Sequence, residues 1–486
     1  MALLGIDIGK HAVHALIVTN TGDVLGSSRQ RYAVPNRLSG ERKEQDPGDW
    51  WDALVHAVRG AAAQMEALGH GTDEIVALAV DGTSGCVFLA DADGKPLGNA
   101  ILFDDLRAQQ ECETLHTMAH DYEEKLGMRF NPTYALPKLL WLKKHRTDAY
   151  KASRFVMHPS DYILFRLTGI PGLSNYSAAL KTGYDPLDGC FGEYFDRIGI
   201  DRCKMPQVVA PGTQVGVLRE DAAKALGLSK DVAVVMGATD GFAAQVCSGA
   251  VRPGQWASLI GGSFVVKGVT QEPLRDPQGR IYCHKHPQGY FMPSGMSNAG
   301  GHCLEEVFGK ENLKKFDAGV LRLIPTNILI YPLSGEGEGF PVRSPHAKKF
   351  ILGYGNEAEI YTAHLEGISF VERLAFETMQ SLGCRVGKDI FAVGGSTRGL
   401  AWLKIRATVL DKNLSVPKVP YPAMGSAMIA ASGTIYADLC DAVDHMLQIE
   451  RVVTPYYDFV RKYERLYLEF KAKTATLFGV QLPRRV

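Results

Sequence analysis

The sequence carries no net charge, because 53 lysine and arginine residues balance 53 aspartate and glutamate residues. Without an excess of basic side chains, the composition gives no reason to expect binding to nucleic acid or to an anionic membrane surface. No apolar run approaches the length that a membrane-spanning helix requires. We therefore expect neither nucleic acid nor a membrane among the partners of this chain.

Cysteines are few and widely spaced: nine occur, and no two form a Cys-x-x-Cys pair. This spacing fits neither a zinc site nor a disulfide framework, so it predicts free thiols in a reducing cytoplasm. The segment from Met1 to Asp7 enters a strand pattern at once, without the charged and apolar regions of a signal peptide. These observations predict a cytoplasmic protein.

A chain of 486 residues is long enough for two or three domains, each with its own core. Paired strand patterns occur near the N-terminus and again at 257–270, and in each half a strand, a glycine turn and a long helix follow. The sequence therefore predicts a duplicated α/β core with a central cleft. We place an N-terminal domain at 1–250 and a C-terminal domain at 251–486, whose last thirty residues form a helix that packs back on the body.

One carboxylate stands out where an apolar strand pattern at 232–236 turns into a helix pattern. This residue is Asp240, in the segment Gly237-Ala-Thr-Asp-Gly241. A helix start favours the ionised carboxylate, which can accept the proton of a sugar hydroxyl. The alternative is a capping role for the helix at 241–247, and the two roles are compatible.

Two glycine-containing turns have the features of phosphate sites. In Gly5-Ile-Asp-Ile-Gly9, Gly9 allows backbone amides to face an anion, and Asp7 can hold Mg²⁺ through water. An ordinary hairpin with a solvated aspartate is the alternative for this segment. The turn Gly261-Gly-Ser263 follows a second apolar run and also allows close approach of a phosphate.

Three further segments carry polar groups after apolar runs. Asp81-Gly-Thr-Ser-Gly85 offers two hydroxyls suited to a polyol, and Phe103-Asp-Asp-Leu-Arg107 offers two carboxylates. Gly394-Gly-Ser-Thr-Arg398 precedes a helix, as a nucleotide-binding turn does. A simple glycine turn or a solvated charge cluster is the alternative for each of them.

In this order and at this spacing, the segments resemble the FGGY carbohydrate kinase family along essentially the whole chain. Further matches are Lys138-Leu-Leu-Trp-Leu-Lys-Lys-His145, Leu167-Thr-Gly169, His364-Leu-Glu-Gly-Ile368 and Met424-Gly-Ser-Ala427. The resemblance implies an α/β, two-domain sugar-kinase/actin-like ATPase (ribonuclease H-like) fold, with duplicated mixed β-sheet cores flanked by helices. It also implies that the N-terminal domain binds a sugar, that the C-terminal domain binds ATP, and that a homodimer is a common state.

The resemblance assigns roles residue by residue. Asp240 would be the catalytic base, and Asp7 would be the catalytic residue that holds Mg²⁺ through water. The substrate-binding residues would be Thr83, Ser84, Asp104, Asp105, Asp240 and Gly241. The nucleotide- and phosphate-binding residues would be Gly9, Lys10, Gly261, Gly262, Ser263, Gly300, Gly394, Gly395, Ser396 and Trp402.

Departures from the family pattern bear on the sugar. Thr83-Ser-Gly85 stands where xylulokinases typically carry Gln-Met-His, and Lys10, Gly262 and Ser396 also differ from common choices. The segment at 81–85 is similar instead to the D-ribulose kinase branch. We expect a kinase of a ketopentose, D-ribulose or D-xylulose. The alternatives are a kinase of ribitol, erythritol, glycerol or gluconate, a non-catalytic sugar- or nucleotide-responsive regulator, and an ATPase of the chaperone or actin type.

Overall fold

A computed structural model describes residues 1–32, 36–37 and 43–483 of the chain. The last residues of the predicted first meander and of the predicted terminal helix lie outside these ranges. The chain packs into two compact units, and each consists of three segments. Unit 1 is 1–247, 284–289 and 421–447, and unit 2 is 248–283, 290–420 and 448–486.

The strands, in chain order, begin with those that precede residue 250. They are β1 (Ala2–Ile8), β2 (Ala12–Thr19), β3 (Val24–Arg31), β4 (Asn36–Arg37), β5 (Lys43–Gln45), β6 (Ile75–Gly82), β7 (Phe88–Ala90), β8 (Ala100–Ile101), β9 (Phe155–Met157), β10 (Leu173–Asn175), β11 (Tyr184–Asp185), β12 (Cys190–Phe191), β13 (Gln207–Val209), β14 (Gln214–Val217) and β15 (Ala233–Val235). The later strands are β16 (Trp256–Ile260), β17 (Phe264–Gly268), β18 (Ile281–Lys285), β19 (Phe291–Ser297), β20 (Leu329–Tyr331), β21 (Phe350–Leu352), β22 (Asp389–Val393), β23 (Asn413–Pro417) and β24 (Ile449–Val453).

The α-helices are equally spread along the chain. They are α1 (Pro47–Ala67), α2 (Gln109–Met118), α3 (His120–Leu126), α4 (Ala135–His145), α5 (Thr147–Ala152), α6 (Pro159–Thr168), α7 (Tyr176–Leu180), α8 (Tyr194–Arg197), α9 (Glu220–Leu226), α10 (Asp240–Ser248), α11 (Gly301–Phe308), α12 (Leu313–Asp317), α13 (Glu357–Ser381), α14 (Leu400–Leu410), α15 (Pro422–Ser432), α16 (Leu439–Met446) and α17 (Tyr457–Phe478). Short 3₁₀ turns lie at Thr72–Glu74, Arg202–Lys204, Val320–Arg322 and Gly395–Thr397.

Unit 1 is built on a six-stranded mixed sheet with the order β14-β15-β6-β1-β2-β3. Strands β1, β2 and β3 form an antiparallel meander, whereas β6 and β15 run parallel to β1. The carboxyl ends of the three parallel strands therefore meet at one edge. In open α/β sheets, ligands bind outside this edge.

Unit 2 repeats this arrangement in a seven-stranded sheet with the order β18-β19-β17-β16-β22-β23-β24. Strands β16, β17 and β19 form the meander, β22 and β23 run parallel to β16, and β24 closes the far edge antiparallel, as β14 does in unit 1. The predicted duplication of mixed sheet cores is confirmed.

Local sequence signals account for many element boundaries. Helix α1 begins after Asp46, whose side chain accepts a hydrogen bond from the Gly48 N–H, and Pro47 occupies the first helical position, where its fixed φ suits a helix start. The structure also confirms the predicted meander at the N-terminus, the helix that follows Asp240 and the long C-terminal helix. All nine cysteines are free. Among the described helices, none combines the length and the hydropathy needed to cross a bilayer.

Helix α15 packs closely on the centre of the unit 1 sheet, although it lies more than 400 residues after β1. A Cβ atom added at Gly5 would lie 1.8 Å from the carbonyl oxygen of Ala423, and one added at Gly425 would lie 2.0 Å from that of Ala243. Glycine is therefore required at position 5, where α15 meets β1, and at position 425, where α15 meets Ala243 of α10. The close approach fixes α15 against the strand that carries Asp7.

We predict that Gly5→Ala destabilises unit 1, because the added methyl group meets backbone that cannot move aside. Overpacking of this kind costs about 1–3 kcal/mol or more, so the thermal midpoint falls by several degrees. The control is Gly319→Ala, since no atom lies within 4 Å of a Cβ at that position. Equal midpoints for the two variants in differential scanning calorimetry would contradict the packing described.

Candidate active site

Three carboxylates gather at the carboxyl edge of the unit 1 sheet. The register of β1 and β6 places Asp7 directly beside Asp81, and an isolated parallel bridge joins Gly82 to Thr239. Asp240 follows and begins α10. Neighbouring residues of adjacent strands point to the same face of a sheet, so Asp7 and Asp81 share one environment.

Asp81 is the most deeply buried of the three, with no solvent exposure. Its Oδ2 accepts a 2.6 Å hydrogen bond from the hydroxyl of Ser426 on α15. Burial raises the pKa of Asp81 well above its ordinary value, the charges of Asp7 and Asp240 raise it further, and the Ser426 bond opposes the rise. Asp81 is therefore the member of the group that keeps a proton.

Asp7 is less strongly perturbed. Burial raises the pKa of Asp7 to about 7 and the charge of Asp240 adds to the rise, while a hydrogen bond from Asp81 and the charge of Arg29 lower it. A proton held on Asp81 thus stabilises the charge on Asp7. Above about pH 7, Asp7 therefore presents a carboxylate.

The donor atoms of this group determine whether it can hold Mg²⁺. The buried Oδ1 of Asp7 has no hydrogen-bond partner among the described residues. Among all the residues that the structure describes, no group of three or more histidine, cysteine, aspartate or glutamate side chains is arranged to hold a metal. Mg²⁺ commonly keeps several waters and takes only one or two carboxylates together with substrate phosphates. The residues present fit that mode of binding through Asp7.

Asp240 stands at the first position of α10, and it is only partly buried. Its Oδ1 accepts a 2.7 Å hydrogen bond from the N–H of Gly241. A carboxylate at a helix N-terminus is stabilised in its charged form. The structure therefore presents Asp240 as an oriented carboxylate at the sheet edge where Asp7 lies.

Thr83 and Ser84 continue the chain from Asp81 but differ in their bonding. The hydroxyl of Thr83 donates a 3.1 Å hydrogen bond to the carbonyl oxygen of Ile8, which joins this segment to the Gly9 turn. The hydroxyl of Ser84 is buried and has no partner in the described part of the chain. Ser84 is thus the residue of the two whose hydroxyl remains available to a ligand.

The two neighbouring carboxylates Asp104 and Asp105 have different surroundings. Asp105 has no exposed surface, and its oxygens accept hydrogen bonds from Arg107 and from the N–H of Lys43. Asp104 keeps 23% of its side-chain surface exposed. This geometry gives Asp105 a structural role and leaves Asp104 as the carboxylate that can face a substrate.

Lys10, expected from the resemblance at the phosphates, pairs with Asp104. Its Nζ lies 2.5 Å from Oδ2 of Asp104, and Nζ of Lys43 lies 2.7 Å from the same oxygen. Burial opposes ionisation here, but the bonds from the two ammonium groups outweigh it and hold the pKa of Asp104 below its ordinary value. Lys10, Thr83 and Phe103 also line a small cavity of about 10 Å³, which is room for roughly one water molecule.

Lys138 on α4 connects the two segments that are expected to bind the substrate. It is fully buried, and its Nζ donates hydrogen bonds of 3.1 Å to the carbonyl oxygen of Gly85 and 3.0 Å to that of Phe103. Burial lowers the pKa of Lys138 to about 8. One side chain therefore fixes the chain immediately after Ser84 and immediately before Asp104.

In unit 2 the predicted nucleotide residues meet at the carboxyl edge of the second sheet. The turn of residues 261–263 follows β16, and Gly394 follows the neighbouring parallel strand β22. A Cβ at Gly394 would lie 2.4 Å from the carbonyl oxygen of Ile260, and Gly394 has a φ of +97°. Gly300 packs on the same turn, where a Cβ would lie 2.4 Å from the carbonyl oxygen of Gly262. The backbone is thus brought together more closely than side chains would allow.

Ser396 stands where the family commonly has a third glycine in the turn of residues 394–396, and a hydrogen bond holds its side chain. Nη1 of the buried Arg406 lies 2.8 Å from the Ser396 hydroxyl, and Arg406 also forms an ion pair with the buried Glu372. Trp402, at the start of α14, has a buried indole N–H that no described group accepts. Ser396 therefore anchors the turn, while Trp402 keeps a donor for a ligand.

Four residues that the structure adds to the site were not assigned from the sequence, namely Asp81, Lys138, Ser426 and Arg406. Asp81 and Ser426 stand inside segments that had already been noted, at 81–85 and 424–427. The signal that was available for Asp81 is that an acidic residue ended an otherwise apolar strand. Nothing local distinguishes Lys138 from the exposed lysines of the same helix.

The duplicated mixed sheets with helices on them define a class, the two-domain sugar kinases with the actin-like ATPase fold. A solved xylulose kinase from Rhodospirillum rubrum has this fold, with a TM-score of 0.87, 23% identity and 99% of each chain covered. The model for the N-terminal domain of the FGGY family of carbohydrate kinases matches residues 2–247, and the model for the C-terminal domain matches 257–434. The chain belongs to the FGGY family, and it is a sugar kinase.

Two curated relatives extend along most of the chain. It is 26% identical to the xylulose kinase of Bacillus subtilis over 496 residues, with 96% of both chains covered. It is 28% identical to the xylulose kinase of Escherichia coli K12 over 444 residues, with 88% of this chain and 89% of the relative covered. These comparisons confirm the expected family and fold. They indicate that the chain is an enzyme and not the non-catalytic regulator that was the alternative.

The raised pKa of Asp7 generates a prediction about stability and pH. The folded state holds this proton up to about pH 7, whereas an ordinary aspartate loses it near 3.8. The unfolded state therefore binds fewer protons at this residue between these values, so the contribution of Asp7 to the free energy of unfolding falls as the pH rises through that window. In Asp7→Asn this contribution is absent.

The measurement is the urea midpoint at pH 5 and pH 8 in EDTA, for wild type and Asp7→Asn. We expect the wild type to lose more stability between the two pH values than the variant does. An equal or larger loss in Asp7→Asn would show that Asp7 is not the buried acid described.

Lys138→Met should impair sugar binding selectively, because it removes the donor shared by two buried carbonyl groups. An unsatisfied buried acceptor costs about 1–3 kcal/mol, so we expect the sugar KM to rise about 10-fold or more while the ATP KM stays unchanged. Lys144→Met is the matched control, since that side chain of the same helix is 57% exposed. A parallel rise of both KM values, or no rise, would contradict the positioning role.

Proposed function

We propose that this enzyme transfers the γ-phosphate of ATP to a hydroxyl of a free ketopentose of the D-ribulose or D-xylulose type. The observation that carries the proposal is the oriented carboxylate of Asp240 beside the Asp7–Asp81 pair. The sugar is held by unit 1, through Ser84 and Asp104, and the nucleotide by unit 2.

Asp240 acts as the general base. As the sugar hydroxyl oxygen forms its bond to the γ-phosphorus, the hydroxyl proton passes to a carboxylate oxygen of Asp240, and the bond to the β–γ bridging oxygen breaks to release ADP. Phosphoryl transfer depends mainly on positioning and charge stabilisation, so one oriented carboxylate is sufficient base.

Asp7 holds Mg²⁺ through water in this proposal. When bound, Mg²⁺ neutralises part of the charge on the phosphate oxygens. The role of the protein is to keep Asp7 ionised, and the hydrogen bond from Asp81 supports that state. The turns at 261–263 and 394–396, with Gly300, supply backbone to the nucleotide, and Trp402 supplies an indole N–H.

The acceptor is a small polyol because the groups near Asp240 are short and polar. Gly85 carries no side chain, the Ser84 hydroxyl is available, and Asp104 supplies a partly exposed carboxylate. These groups hydrogen-bond hydroxyls rather than enclosing an apolar ring. The chain is similar to xylulose kinases, which supports a ketopentose.

A specific observation favours one second candidate, a kinase of a sugar acid such as gluconate. Lys10 and Lys43 both pair with the single carboxylate Asp104. Two ammonium groups on one carboxylate leave a positive charge at Asp104 itself, which suits an anionic acceptor, although Arg107 with Glu44 and Asp105 beside it carries the opposite excess. The ketopentose remains the first proposal because its support includes the relatives.

Asp240→Asn tests the assigned base. It keeps the shape of the side chain but removes proton acceptance, so turnover should fall by about 10²–10⁴ while the binding of ATP and sugar is retained. Asp231→Asn, at an exposed aspartate just before β15, serves as the control and should retain full turnover. Turnover of Asp240→Asn within threefold of wild type would exclude Asp240 as the base.

The substrate is tested by coupled ADP release with D-ribulose, D-xylulose, ribitol, glycerol and D-gluconate, each against a control without acceptor. We expect the highest kcat/KM with a ketopentose. The highest value with D-gluconate would select the second candidate. ADP release that no acceptor increases would contradict both.

A further inference from the structure

The phosphate turn of unit 2 is covered on one side by a histidine that was not assigned to any role. Helix α11 begins against the turn of residues 261–263. The N–H of Gly301 donates a 2.8 Å hydrogen bond to the carbonyl oxygen of Gly261, and the N–H of His302 donates a 3.0 Å bond to that of Gly262. The side chain of residue 302 is thereby fixed next to the turn.

The imidazole of His302 occupies the space that a side chain at position 262 would need. A Cβ added at Gly262 would lie 2.5 Å from both Cδ2 and Nε2 of His302. At Gly261, by contrast, no atom lies within 4 Å of an added Cβ. The turn is therefore unobstructed at Gly261, whereas the edge of the His302 imidazole lies over Gly262.

Three backbone N–H groups around the turn are already used within it. The N–H of Gly261 donates to the carbonyl oxygen of Ser263, and those of Gly301 and His302 donate to carbonyl groups of the turn. The first turn of α11 consequently has fewer free N–H groups to offer an anion. The His302 side chain is 68% exposed, and its nearest acidic group, Oε2 of Glu305, lies 3.7 Å from Nδ1. Its Nε2 edge remains accessible to a ligand on the turn.

We propose that His302 is a nucleotide-binding residue, which places an imidazole N–H on the phosphate chain of ATP and ADP. This inference rests on the proposed function, in which the turn at 261–263 receives the nucleotide phosphates. Position 302 supplies a side-chain nitrogen donor, which the three residues of the turn lack, since their only polar side-chain group is the Ser263 hydroxyl. Gly262 is needed because any larger residue displaces the ring.

The test is calorimetric titration of the intact protein with Mg·ADP and, separately, with adenosine. For His302→Ala we expect ADP to bind about 10-fold more weakly, as for loss of a hydrogen bond to a charged group, whereas adenosine affinity is unchanged. His302→Gln retains an N–H donor and should recover part of the loss. Lys310→Ala removes a cation that is 82% exposed beyond the other end of α11, and it should leave ADP affinity within twofold.

A double-mutant cycle gives a second readout. Gly262→Ala displaces the ring, so it should weaken ADP binding in the wild-type background but add little in His302→Ala. Unchanged ADP affinity in His302→Ala, or an equal loss for adenosine, would overturn the inference while leaving the proposed function intact. A wild-type protein that binds neither Mg·ADP nor adenosine would overturn both.

Discussion

The burial of Asp7 beside Asp81 is the constraint on which the rest of unit 1 depends. Two carboxylates at neighbouring positions of parallel strands cannot both be charged in an apolar interior, so one proton stays within the pair. The Ser426 hydroxyl satisfies one oxygen of Asp81, 345 positions along the chain. Helix α15 must therefore return to the N-terminal sheet, and Gly5 allows it to come close enough.

This arrangement gives the carboxylates distinct properties. Asp81, fully enclosed, holds the proton; Asp7, which receives a hydrogen bond from it, is ionised near neutral pH; Asp240, at a helix start, is held as an oriented carboxylate. A charge suited to a metal ion and a base suited to a hydroxyl can thus stand at one sheet edge. The chemistry follows from differences in burial among chemically identical groups.

The second sheet repeats the strand order of the first, but its edge carries glycine where the first carries aspartate. Gly394 lies against the carbonyl group of Ile260, and Gly300 lies against that of Gly262. Close backbone approach suits phosphates, which backbone amides bind without a matching charge. In the same fold, one edge is therefore built from carboxylates and the other from backbone.

Local patterns predicted much of this structure. The capping of α1 by Asp46, the strand before Asp240 and the duplicated meanders depend on neighbouring residues, so the sequence indicates them directly. Pairings across long separations were not predictable: Ser426 with Asp81, Arg406 with Glu372, and Lys138 with the carbonyl groups of Gly85 and Phe103. Only folding shows that Asp105 faces Arg107 while Asp104 remains partly exposed. The return of residues 421–447 to unit 1 was not predictable either, because it depends on packing and not on local propensity.

The most direct test of the central claim follows the γ-phosphate itself by ³¹P NMR in a mixture of the wild-type enzyme, Mg²⁺, ATP and D-ribulose or D-xylulose. If the enzyme transfers the γ-phosphate to a sugar hydroxyl, a sugar phosphate ester appears in a one-to-one ratio with ADP, and orthophosphate stays at background. Orthophosphate formed at the same rate with and without sugar, and no ester resonance, would contradict the claim.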